Sequence, residues 1–142
     1  MSATTEAITA LLAKYNTALN ASSTEAVMPL YAEDGVFMPP YSQSAVGSAA
    51  VRKAYDAVFK AITLNVKFTI AEIVGLGPGW AFARTNSAGI LSLGRRQCRY
   101  VHERLYAAVR ESCDWSSAIC MSREQHRPFR SLDHAFERGD VV

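Results

Sequence analysis

Long apolar runs, clustered cysteines and a large excess of either charge are all missing from this sequence. Crossing a bilayer takes roughly 20 consecutive apolar residues, and even the stretch from Ile70 to Ala83 is broken by Glu72 and three glycines. The N-terminus, MSATTEAITALLAKYNTAL, has no basic segment ahead of an apolar one and does not read as a secretory signal. Cytoplasmic residence without membrane association is therefore expected. Cysteine is limited to Cys98, Cys113 and Cys120, an odd number with no CxxC spacing. They read as free thiols, with one bridge and one spare thiol as the alternative. Their spacing fits no standard zinc cluster, so no metal is expected. GxGxxG, Walker and GxSxG motifs are absent, and Gly75, Gly77 and Gly79 form a turn with no helix N-terminus behind it to cradle a phosphate. No cofactor is implied.

The formal charge is only +2, from 15 basic and 13 acidic residues, which gives no electrostatic footprint for nucleic acid. That average hides a split. Up to Ala83 the net charge is −1, and from Arg84 onward it is +3. All four lysines precede residue 68, whereas ten of eleven arginines lie from Arg84 onward. The densest basic group, Arg95, Arg96, Arg99 and Arg104 around Tyr100, has acids interspersed and matches no binding motif. No nucleic-acid partner is expected.

What the chain does have is 142 residues, 49% of them hydrophobic. That suits one globular domain burying roughly two-thirds of the surface of its unfolded chain. Ile8, Leu11, Leu12, Tyr15 and Leu19 recur at helical spacing and predict an amphipathic helix over 4–21, with Thr4 or Thr5 as its cap. A serine or threonine at 22–24 caps a second, short helix carrying Val27, Leu30 and Tyr31, with Pro29 in its first turn. That helix is expected to stop near Glu33-Asp34-Gly35, with Val36 opening an extended piece. A third helix over 46–62 turns Val51, Tyr55, Val58, Phe59 and Ile62 inward. Strand grammar follows: Leu64, Val66, Phe68 and Ile70 alternate with polar residues, and the pattern slips at Ala71-Glu72. The Gly75–Gly79 turn leads into a strand from Trp80 to Ile90 or Leu91. Residues 98–109 fit a strand or a helix, and Trp115 to Met121 a last strand. The expected layout is one α+β domain over 1–121 followed by a loose tail, 122–142.

The runs YNTALNASSTEAVMPLYAEDGVFMPP and VGSAAVRKAYDAVF, followed by a Gly-Pro-Gly hairpin into WAFARTNSAG, closely resemble the SnoaL-like and ketosteroid-isomerase-like proteins of the NTF2-like superfamily. The likeness covers about residues 5–90 and fades beyond. It implies a cone, with three N-terminal helices packed on a strongly bent antiparallel sheet and a pocket between them. It also implies a homodimer through the sheet face. Members include polyketide cyclases and isomerases, so the implied ligand is a small apolar or aromatic molecule.

Within that likeness, Tyr15 matches a tyrosine that donates a hydrogen bond to the substrate oxyanion; the plain alternative is a core tyrosine. The position matching the family's carboxylate base falls on Pro39, between Met38 and Pro40, none of which accepts a proton. Steroid isomerisation is therefore not expected. Asp34 is the candidate acid or base, with turn stabilisation the alternative. His102 is the candidate imidazole, with a solvent-facing ring the alternative. Leu19, Tyr31, Phe37, Tyr55, Phe59, Phe68, Phe82 and Arg84 are the candidate pocket residues, although Arg84 also suits a sheet-face salt bridge. Two functions stay open. One is proton transfer on an enolisable, polyketide-like substrate, with Asp34 or His102 as base and Tyr15 at the enolate. The other is a binding or scaffold domain without turnover.

Overall fold

The computed structural model describes residues 2–39, 42–111 and 114–123, with side chains up to Val101 and at Glu103 and Tyr106. The tail expected from 122 lies outside the described residues beyond Arg123, as do Pro40, Tyr41, Cys113, His126 and His134.

Helix α1 spans Ala3–Asn20 and is capped by Ser2, whose side chain accepts from the Thr5 N–H. It buries Ile8, Leu11, Leu12, Tyr15, Ala18 and Leu19 along one stripe, the spacing that a 3.6-residue period dictates. Helix α2 is a single turn, Thr24–Val27, capped by Ser23. A 3-10 turn over Met28–Leu30 continues it, with Pro29 in its opening positions where the missing N–H is harmless. Helix α3, Ser48–Ala61, buries Val51 and Tyr55, while Val58, Phe59 and Ile62 pack half-buried against the core. An exposed ion pair between Arg52 and Glu25 links α3 to α2, and Glu25 raises the Arg52 pKa above the usual arginine value through that hydrogen bond.

Six strands follow the order β2-β1-β6-β5-β4-β3. They are β1 Tyr31–Phe37, β2 Ala45–Val46, β3 Thr63–Gly77, β4 Trp80–Leu93, β5 Arg96–Glu111 and β6 Asp114–Arg123. The segment 98–109, compatible with either period, is strand. The slip anticipated at Ala71-Glu72 is a register shift between Ile70 and Glu72. Tyr31 to Gly35 departs from the expected helix end and forms strand instead. The strand pairs with β6 at both ends, Tyr31 and Val36–Phe37, and with β2 at Val36 and Phe37, contacts distant in sequence that override the weak strand preference of the Ala, Glu and Asp between.

The strongly bent cone does not hold. The long strands β3 to β6 form antiparallel hairpins, but β1 joins β6 in parallel. The β arrangement is neither strongly curled nor closed, and β2 and β3 remain as separate edges. Bending needs bulges or breaks in pairing. The β4–β5 ladder, at the centre of the long strands, runs from Trp80↔Val109 to Leu93↔Arg96 without one; the shifts lie to either side of it, at Ile70/Glu72 and Gly75/Gly77 against β4 and at Ala107/Ala108 against β6. The α+β layout with three N-terminal helices stands.

The helices cover one face of the sheet. On β4 that face carries Ala81, Ala83, Thr85 and Ser87, all at most 1% exposed. Small side chains leave room there for the helices and the large rings around them. Two asparagines fasten α1 to the outer strand β3. Asn16 donates to the Val66 carbonyl and accepts from the Phe68 N–H, each at 2.8 Å. Asn20, one helical turn on, donates to the same carbonyl at 2.8 Å and accepts from the Val66 N–H at 2.9 Å.

Candidate functional site

Between the helices and the sheet lies an aromatic cluster built from all three layers. The inward stripe of α1 supplies Tyr15, β1 supplies Tyr31 and Phe37, α3 supplies Tyr55 and Phe59, β3 supplies Phe68, and β5 supplies Tyr106. The Phe37 ring stacks on Tyr55, with centroids 4.4 Å apart and planes 18° from parallel. Tyr15 meets Tyr106 edge to face at 5.6 Å and touches Phe68 at 5.8 Å.

Three of these rings join through their hydroxyls. The Tyr55 hydroxyl lies 2.5 Å from that of Tyr15 and 2.8 Å from that of Tyr31. Tyr55 is 1% exposed, and Tyr15 and Tyr31 are also buried. In a low-dielectric interior each bond of such a chain polarises the next. Tyr15 is at the same time a wall of a small apolar pocket, lined otherwise by Ile8, Leu11, Leu12, Leu30, Ala83 and Tyr106. Its free volume, about 10 Å³, is room for about one water molecule. A larger guest must displace aliphatic side chains of α1 or Leu30.

The candidate residues divide accordingly. None of the candidate pocket residues Leu19, Tyr31, Phe37, Tyr55, Phe59, Phe68, Phe82 and Arg84 lines this small pocket. Tyr31, Tyr55 and Phe68 contact Tyr15, Phe37 and Phe59 contact Tyr55, and Leu19 is packed in the α1 stripe. Phe82 and Arg84 stand on the outer face of β4, opposite Ala81, Ala83 and Thr85. There Arg84 bridges Glu72 at 2.8 Å and Glu103 at 3.0 Å. Those hydrogen bonds, Glu72 first, raise its pKa above the usual arginine value. Asp34 is exposed on β1. It falls where the β1–β6 pairing shifts, an advance of five residues from Tyr31 to Val36 facing an advance of two from Ser117 to Ile119. His102 is the register partner of Ser87 on β5, its side chain lying outside those described. Among the described residues, no group of three His, Cys, Asp or Glu side chains is placed to hold a metal ion.

The family model for the SnoaL-like domain matches residues 12–111, a span that includes Tyr15, Tyr31, Tyr55 and Tyr106. The chain belongs to the SnoaL-like family. The match extends through β5, past the residue-90 limit of the visible likeness. Among solved structures, this SnoaL-like chain is similar to a ketosteroid isomerase-like protein from Erwinia carotovora atroseptica, with a TM-score of 0.81 and 24% identity over 88% of this chain and 100% of that one. It is also similar to an uncharacterized protein with a cystatin-like fold from Caulobacter vibrioides (TM-score 0.70, 22% identity, 94% and 97% covered). An NTF-2 like protein of unknown function from Shewanella oneidensis gives a TM-score of 0.69 at 20% identity, with 84% and 98% covered. At these identities the likeness shows the fold alone. No curated protein matches the SnoaL-like chain.

Two features of the site escape a reading of the sequence. Tyr106 sits in the segment whose period fits both helix and strand, so its face could not be assigned. Thr85, which together with Ser87 makes up the buried polar residues of the described core, is hidden on β4 by the bulkier Trp80, Phe82 and Arg84 of the other face.

Proposed function

We propose that the chain binds a small apolar or aromatic molecule bearing an oxygen, and that Tyr15 holds that oxygen. One observation carries this reading: the ring of Tyr15 walls the apolar pocket while its hydroxyl bonds that of Tyr55, which also bonds that of Tyr31. A donor in such a chain is oriented before any ligand arrives, so little reorganisation opposes binding. The test is titration of 2-naphthol into the wild type and Tyr15→Phe. One hydrogen bond is worth about 1 kcal/mol, so the variant is expected to bind about fivefold more weakly. Equal affinities would refute the assignment.

The catalytic form of this reading is an isomerase or cyclase moving a proton on an enolisable, polyketide-like substrate. In it Tyr15 stabilises the enolate oxygen, and Asp34 or His102 takes the proton. The exposure of Asp34 favours the second reading, a binding or scaffold domain without turnover. Hydrogen–deuterium exchange at the α-carbons of 2-tetralone in D₂O separates them. Acceleration by the wild type that is lost in Asp34→Asn or His102→Gln supports turnover, and an unaccelerated rate supports binding alone.

A homodimer through the sheet belongs to the same proposal. Its support is the outer face, where Trp80, Ile90 and Val101 are exposed around the Arg84 ion pairs. Light scattering on the eluting protein measures it directly.

A further inference from the structure

Thr85 and Ser87 are both 0% exposed. Among the described residues, neither the Thr85 Oγ1 nor the Ser87 Oγ has a hydrogen-bond partner. A buried hydroxyl without a partner has given up its water bonds for nothing, so native interiors keep few of them. Here there are two, successive on one face of one strand.

Their position says what they face. They continue the row Ala81, Ala83 on the helix-covered side of β4, and Ala83 is a wall of the apolar pocket. Two residues of strand advance about 7 Å, so Thr85 and Ser87 lie about 7 and 13 Å beyond Ala83 along the chain. Ser87 is the register partner of Phe68, whose ring touches both Tyr15 and Tyr106. The two hydroxyls therefore lie on the sheet beneath the same aromatic cluster, beyond the Ala83 wall of the pocket.

We infer that Thr85 and Ser87 form a second polar subsite that takes a neutral oxygen, a hydroxyl or a carbonyl, at the far end of the ligand. The ligand class is then a flat ring system oxygenated at both ends, one oxygen at Tyr15 and the other at β4. A hydroxyl both donates and accepts, so the subsite suits a ketone or an alcohol equally. This inference rests on the reading that Tyr15 holds the first oxygen.

The experiment compares 2-naphthol with 2,6-dihydroxynaphthalene in calorimetric titrations. Its readout is the ratio of the two dissociation constants in each protein. In the wild type the diol is expected to bind about fivefold tighter, the gain of one buried hydrogen bond. In the Thr85→Val/Ser87→Ala double variant the ratio is expected to fall to about one, and Thr85→Ser alone to preserve it. A ratio near one in the wild type, or an undiminished preference in the double variant, overturns the subsite. If naphthol binding still weakens in Tyr15→Phe, that result leaves the first oxygen's assignment standing. If neither probe binds the wild type, both proposals fall. The double variant is close to isosteric, so its unfolding midpoint is expected to match or exceed the wild type's. A midpoint lower by several degrees would mean that the hydroxyls brace the fold, and would also overturn the subsite.

Discussion

Replacing Tyr55 by phenylalanine removes one oxygen atom from the centre of the hydroxyl chain and leaves the ring in place. The stack on Phe37 and the contact with Phe59, 4.4 and 5.6 Å between centroids, survive the change. What is lost is two hydrogen bonds, to Tyr15 and to Tyr31, inside a region where Tyr55 is 1% exposed. Each such bond contributes about 0.5–1.5 kcal/mol net, so the loss is expected to be about 1–3 kcal/mol. Tyr31→Phe takes one of those two bonds from the chain and leaves the Tyr15–Tyr55 bond in place, and about half that loss is expected. Urea unfolding followed by fluorescence, with equal slopes for the three proteins, reads both differences. In thermal melts the Tyr55→Phe loss corresponds to a midpoint about 3–10 °C lower for a chain of this size. Equal losses for the two variants would refute the picture of Tyr55 as the shared partner. A Tyr55→Phe loss below about 0.5 kcal/mol would mean that the chain adds nothing to stability.

Two further outcomes follow from the sheet. A Cβ on Gly89 would stand 2.1 Å from the Asn65 carbonyl oxygen and 2.7 Å from the Val66 Cα, so Gly89→Ala must push β3 and β4 apart. A loss of about 1–3 kcal/mol is expected in urea, whereas Gly75→Ala, with nothing within 4 Å, is expected to be far milder. Asn16→Ala combined with Asn20→Ala removes four bonds to β3. Hydrogen exchange at the Val66 and Phe68 amides is expected to accelerate at least tenfold, about 1.4 kcal/mol of local protection; unchanged exchange would mean that the side chains do not hold those groups in solution.

Much of this architecture was legible because it depends on neighbours in sequence. The stripes of α1 and α3, the alternation from Leu64 to Ile70 and the slip at Ala71-Glu72 are local patterns, and Tyr15, Tyr31 and Tyr55 stood out within them. What stayed hidden depends on partners far away. Tyr31 to Gly35 reads as the end of a helix until β6 lies beside it, some 85 residues on (Tyr31↔Ser117). The curvature of the sheet is set by where ladders break, and no single strand shows that. On β4 the alternation itself was plain, but the bulky residues drew attention to the wrong side. The helices pack on Ala81, Ala83, Thr85 and Ser87, the face with space to receive them.

The bonds from Asn16 and Asn20 to β3 bear on how copies of the chain can meet. An unpaired edge strand invites another strand to add to it, and long edges are common starting points for aggregation. On β3, the Val66 N–H and C=O and the Phe68 N–H are already occupied by side chains of the same molecule. A neighbouring strand seeking those groups would have to displace α1 first. The two asparagines therefore act as a guard against edge-to-edge growth along the Val66–Phe68 stretch of this edge.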